Sequence, residues 1–220
     1  CNSHQAVNNA LNKIAEYDVP TFKIGNEFKA VSLNTSVRNF SSMWQYGDFL
    51  KRQKSHKRRT ITEPGNIVGM TLCGAILYLA LHGNAFTPSI VLIDEASQIP
   101  LSLGSAIAAL EGGSYVFIGD HQQMPPIFHE KMANHPLSIS IFDHLQRILP
   151  EELKTTLTTT YRMNSTICKY VSEQFYEPFG VKLISDSSIA NNHVDTESIH
   201  DSIESVSYTH LRAHETLMNL

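Results

Sequence analysis

Two short apolar runs, Ile90-Val91-Leu92-Ile93 and Tyr115-Val116-Phe117-Ile118, each break off into acid, Asp94-Glu95 after the first and Gly119-Asp120 after the second. Between them Leu101 to Leu110 has helical spacing and Gly112-Gly113 supplies a stop. Strand, helix and strand in that order form a βαβ unit, and its crossover makes the two strands parallel neighbours. The runs do not alternate between apolar and polar residues, so the expectation is a sheet covered on both faces. Ligands of such sheets bind beyond the carboxyl ends of the strands. There the pattern collects Asp94, Glu95 and Asp120 on one edge.

The remaining pattern extends this α/β reading. Ser3 is a candidate N-cap for a helix carrying Ala6, Val7, Ala10, Leu11 and Ile14 at helical spacing, which Pro20 ends. Thr21 to Ile24 and Ile67-Val68-Gly69-Met70 read as short strands, and Leu72 to Leu81 as a helix. Residues 26–62 are polar with few apolar positions in register, and read as an inserted, helical or irregular segment. Ser138 to Leu149 reads as a helix ended by Pro150, Leu157 to Thr160 as a strand, and Asn164 to Phe175 as a helix capped by Asn164 or Ser165. Beyond Ile184 periodicity fades into a polar, linker-like run.

Composition excludes several classes. A net charge of −4 gives no global attraction to nucleic acid, so any such contact must be local. The three cysteines are dispersed and make neither a disulfide framework nor a zinc site, which favours a reducing, intracellular (cytoplasmic) setting. Among the eleven histidines only His210 and His214 have metal-ligand spacing, and no second pair lies nearby. No apolar stretch is long enough to span a bilayer, so no membrane partner is expected.

The acids acquire meaning from the residues downstream of them. A carboxylate at the end of a buried strand can hold magnesium, and a second can polarise an attacking water; alone, the pair reads more readily as ordinary strand-end acids on a loop. In Gly119-Asp120-His121-Gln122-Gln123-Met124-Pro125-Pro126 an amide, Gln123, stands at a fixed offset after a second strand and suits sensing a terminal phosphate. Arg162, in Tyr161-Arg162-Met163-Asn164, offers a guanidinium that could grip a phosphoryl group bidentately, or simply form a surface ion pair.

In this order the blocks resemble the superfamily 1 helicases, in the branch (1B) that includes the nonsense-mediated-decay RNA helicase and the eukaryotic replication helicase-nuclease. Val91 to Gln98 is similar to motif II, Gly119 to Pro126 to motif III with Met124 where leucine is usual, and Tyr161 to Asn164 to motif IV with Asn164 where histidine is common. Asn2 to Asn9 resembles motif Ia, and Val68 to Thr71 the strand motif after it. The resemblance covers residues 1 to 180 or so. It implies a RecA-like P-loop NTPase domain, incomplete here, over residues 1–150, and the start of a second RecA-like domain over 151–184; residues 185–220, polar and without periodicity, are expected to be a disordered or artefactual tail. It implies ATP and Mg2+ as cofactors: Asp94 on magnesium, Glu95 as catalytic base, Gln123 and Arg162 on the γ-phosphate. It also implies a single-stranded DNA or RNA partner along Ser3, His4 and Thr71, with Pro125 and Pro126 coupling nucleotide state to that track, a monomeric parent protein, and translocation from 5′ toward 3′. Asp94, Glu95, Gln123 and Arg162 are then expected to converge on one triphosphate.

No GxxxxGK[ST] occurs in the chain, and the later family motifs are absent, so the polypeptide by itself is expected to be inactive. Because it opens mid-pattern, a strand is expected to precede it in the parent, and the isolated chain is expected to expose apolar surface. A non-catalytic RecA-like module that binds nucleic acid or protein is the alternative. The run Lys51-Arg52-Gln53-Lys54-Ser55-His56-Lys57-Arg58-Arg59, after Trp44, Tyr46 and Phe49, fits either a phosphate-and-base contact or a solvated loop. Ser207 to Thr216 resembles translated sequencing-adapter sequence.

Overall fold

The computed structural model describes residues 3–30, 32–41, 45, 48–49, 66–82, 88–108, 112–132 and 135–192. The chain divides into two compact units, Cys1–Lys154 and Thr155–Leu220. Both are α/β with parallel strands, the fold class that the sequence pattern predicts.

The first unit opens with α1 (His4–Ala15), whose N-cap Ser3 accepts a hydrogen bond from the Ala6 amide at 3.1 Å. Its buried Val7 and Leu11 pack with Val37, Leu33 and Ile67. Strands β1 (Thr21–Ile24), β2 (Arg38–Phe40) and β3 (Ile67–Met70) form a parallel sheet in the order β2-β1-β3, with Ile24 opposite both Phe40 and Met70. The segment expected to be an irregular insertion therefore contributes a strand. Val37, the buried residue just before β2, fastens it to α1, a contact too short to leave a periodic signature. Phe49 lies 5.1 Å from the Phe40 ring with the Arg38 guanidinium 5.3 Å above it.

Helix α2 (Leu72–His82) leads to β4 (Ile90–Ile93), α3 (Leu101–Ile107) and β5 (Ser114–Phe117). β4 and β5 pair in parallel, with Ile93 opposite Phe117, so the βαβ unit forms as its pattern dictates. The expectation of two covered faces is corrected. Val91, Ile93, Tyr115 and Phe117 face a core built with Leu72, Ile99, Ile107 and Ile141, whereas Ile90 and Leu92 remain 60% and 58% exposed. Among the described residues β4 and β5 pair only with each other, and the helices cover one face. Helix α4 (Ile141–Ile148) starts three residues later than its periodicity suggests, because Ser140 caps it by accepting from the Asp143 amide at 2.9 Å.

The second unit holds β6 (Thr159–Thr160) paired in parallel with β7 (Ile184–Ser185), and α5 (Ser165–Val171), which continues as a π-turn, Ser172–Tyr176. Asn164 is the α5 N-cap, accepting from the Ile167 amide at 2.9 Å. Residues expected to begin a linker are instead tied down: the Ser165 amide and hydroxyl both donate to the Ala190 carbonyl, and the Asn164 side chain donates to the Asn192 carbonyl. The basic run, Trp44, Tyr46 and the adapter-like tail lie outside the described residues.

Candidate nucleotide-binding edge and its relatives

Two backbone bonds and one from backbone to side chain close the ends of β4 and β5 on each other. The Ile118 amide donates to the Ile93 carbonyl at 2.8 Å, the Ala96 amide to the Ile118 carbonyl at 2.9 Å, and the Asp120 amide reaches the Ser97 hydroxyl at 3.4 Å. Asp94-Glu95 and Gly119-Asp120 are therefore brought to one sheet edge, where the sequence pattern places them. Close approach demands a glycine at 119: a Cβ there would stand 2.9 Å from the Ser97 amide nitrogen and 3.1 Å from the Phe142 ring.

At the first strand end Glu95 adopts a left-handed backbone, φ 56° and ψ 38°, which costs a residue with a Cβ about 1–2 kcal/mol. Ala96, Ser97 and Ile99 behind it are almost wholly buried and pin the turn to the core. Glu95 accepts from the Gln98 side-chain amide, Nε2 to Oε2, at 3.1 Å. At the second strand end Asp120 is the organiser. Its Oδ1 accepts from the Gln122 amide and its Oδ2 from the Gln123 side chain, both at 2.9 Å, which fixes a turn from the strand into Met124-Pro125-Pro126. Pro126 is buried; Gln123 and Pro125 are exposed.

The edge fits a hard divalent cation by its chemistry. Its donors are carboxylate and amide oxygens, and magnesium needs only one or two carboxylates beside waters and phosphates. Among the described residues no group of three or more His, Cys, Asp or Glu is arranged to hold a metal ion.

A second set gathers at the carboxyl edge of the β2-β1-β3 sheet. Thr71 follows β3 and its Oγ1 accepts from the Gly74 amide at 3.2 Å, opening α2. His4 lies against Gly25 just past β1, where a Cβ would come within 2.8 Å of its ring, and its Nδ1 is buried without a hydrogen bond. Beneath it Lys23 is 0% exposed, its Nζ donating to the Lys29 carbonyl at 2.9 Å. Burial pulls Lys23 below the ordinary lysine range. Burial, then the charges of Lys23 and Lys29, pulls His4 below the ordinary histidine range. Sequence reading misses Lys23, since nothing in Thr21-Phe22-Lys23-Ile24 marks a lysine that ends inside a sheet.

Arg162 belongs to the second unit, exposed in a bend whose amide donates to Thr160 Oγ1 at 3.2 Å. Lys51, Arg52, Arg58 and Arg59 fall outside the described residues. Gln98 and Ser97 stand out in the sequence only as parts of a motif; a side-chain amide three residues after an acid is the available signal for the first.

Known proteins resemble this chain in sequence. A family model described as an AAA domain matches residues 137–219. The DNA replication ATP-dependent helicase/nuclease DNA2 of Gallus gallus is 30% identical over 181 residues, 80% of this chain and 17% of its own length. The ATP-dependent helicase upf1 of Schizosaccharomyces pombe is 34% identical over 113 residues, covering 48% of this chain and 11% of its own. An uncharacterised ATP-dependent helicase of Methanocaldococcus jannaschii is 31% identical over 102 residues, or 46% and 14% of the two chains. The chain thus spans about one sixth of the DNA2 protein's length. No helix among the described residues is long and apolar enough to cross a membrane. With its motifs in order and its acids on one parallel-sheet edge, the chain is superfamily 1 helicase-like.

Proposed function

We propose that this chain is the part of an ATP-dependent helicase that carries the hydrolytic acids and the start of a single-strand track. The observation that supports it best is the joining of the β4 and β5 ends, which sets Asp94-Glu95 beside Asp120 and Gln123. In this reading Asp94 holds the magnesium that accompanies ATP, and the ion supplies charge neutralisation on the phosphates. Glu95 accepts a proton from the attacking water. Gln123 gives its amide to the γ-phosphate in place of Asp120, so nucleotide binding would be felt in the chain leading to Pro125 and Pro126. Arg162 is the guanidinium for the same phosphate.

Ser3, His4 and Thr71, at the carboxyl edge of the β2-β1-β3 sheet, are assigned to single-stranded DNA or RNA, with Lys51, Arg52, Arg58 and Arg59 adding phosphate contacts. The N-terminal unit is assigned as a RecA-like domain and the second unit as the start of another. The protein is placed inside the cell. Hydrolysis requires the phosphate-cradling loop, which the full gene product must supply.

Glu95→Gln in that full gene product is the decisive variant. Nucleotide affinity should stay within about 3-fold while single-strand-stimulated ATP turnover falls by about 10²- to 10⁴-fold. Turnover retained in this variant removes Glu95 as the base.

A further inference from the structure

A general base works only if its carboxylate is aimed, and Glu95 is held in an unusual way. Its left-handed backbone lets the chain reverse directly into a 3-10 turn, Ala96–Gln98, closed by the Gln98 amide donating to the Glu95 carbonyl at 3.0 Å. The turn is not free to move. Ala96 is 0%, Ser97 2% and Ile99 1% exposed, and the Ser97 hydroxyl is tied to the Asp120 amide. Gln98 leaves this anchored turn with its side chain directed back over the acid, Nε2 on Glu95 Oε2 at 3.1 Å. One carboxylate oxygen is therefore occupied by a donor rooted in the core. Among the described residues no donor reaches the other, Oε1.

We propose that Gln98 is the positioning residue for Glu95: its amide clamps Oε2, fixes the carboxylate plane and leaves Oε1 as the oxygen that meets water. The proposal rests on Glu95 being the base. A neutral amide suits the task, because it donates without carrying a charge that would compete for the metal or the phosphates. The geometry also accounts for the backbone at Glu95: a right-handed residue there would carry the chain past the acid and take Gln98 out of reach.

The test uses the full gene product and four variants, Glu95→Gln, Gln98→Glu, Gln98→Leu and the double variant Glu95→Gln/Gln98→Leu. Gln98→Glu keeps the shape of the side chain and removes the donor; Gln98→Leu removes both polar atoms. Each Gln98 variant should lower kcat by about 10- to 100-fold, the scale of a misaimed catalytic group, with KM for ATP within about 2-fold. In the Glu95→Gln background Gln98→Leu should change residual turnover by less than about 2-fold, because a residue acting through another has nothing left to aim. An unchanged kcat in both Gln98 variants overturns the proposal. So does an equal loss from Gln98→Leu in the presence and absence of the Glu95 carboxylate, which is the signature of a merely structural side chain. If Glu95→Gln alone retains turnover, the underlying assignment of the base fails instead, a result distinct from either.

Discussion

β1 and β4 are parallel strands of equal length, yet they are buried by opposite rules. β1, Thr21-Phe22-Lys23-Ile24, buries Thr21, Lys23 and Ile24; β4, Ile90-Val91-Leu92-Ile93, buries Ile93 alone. The more polar strand is the more enclosed. β1 lies between β2 and β3 with α1 against it, whereas among the described residues β4 has β5 as its one strand neighbour and helices over one face. Position in the sheet, rather than the hydrophobicity of the strand, decides what leaves water. A lysine is enclosed because its stem is apolar and its Nζ finds the Lys29 carbonyl, which also accepts from Asn8 Nδ2 at 2.9 Å.

The comparison breaks most sharply at Ile93. It is 4% exposed in the core, so Ile93→Ala should cost about 2–5 kcal/mol, while Ile90→Ala on the open face should cost less than about 1 kcal/mol. Amide-exchange protection of β4 and β5 in the full gene product reads both. Similar losses at the two positions would mean that the open face is covered there.

Next comes the joint between β4 and β5. Gly119→Ala sets a methyl against the Ser97 amide, which is backbone and cannot swing aside. A loss of about 1–3 kcal/mol in the same measurement is expected, with reduced ATP turnover because the Glu95 turn is displaced.

The smallest effect tests the enclosed lysine. Lys23→Met should stabilise the β2-β1-β3 sheet by about 1 kcal/mol at neutral pH, since an apolar side chain of similar length needs no carbonyl. The linkage has a definite sign. His4 and Lys23 both titrate below their ordinary values of 6.5 and 10.5 when folded, so the unfolded chain holds more protons in those windows. The stability each contributes as a neutral group is complete above its ordinary value and is lost as pH falls through its lowered folded value. Lys23→Met should abolish the alkaline window and move the His4 window upward, because one of the charges that depresses the imidazole is gone. NMR titration of the His4 ring follows the second effect; a ring that titrates unchanged would show that Lys23 does not act on it.

Much of the candidate site is legible in the chain without its fold. Apolar runs ending in acid, an amide after the second run, and a helix between them require a parallel pair and place Asp94, Glu95, Asp120 and Gln123 at its carboxyl edge, because crossover handedness and strand direction leave little choice. The N-caps at Ser3 and Asn164 are equally readable, since a short oxygen-bearing side chain before a periodic run has a local job. Local chemistry determined these features.

What tertiary structure alone decided is longer in range. It turned part of a polar stretch into β2, enclosed Lys23, opened one face of β4, and gave the Phe49 ring to Phe40 and Arg38. It also set Glu95 in a left-handed conformation and brought Gln98 back onto it. Each of these depends on which surfaces meet, and on buried neighbours holding a strained backbone in place. That information is carried by contacts between residues distant in the chain, and no window of sequence contains it.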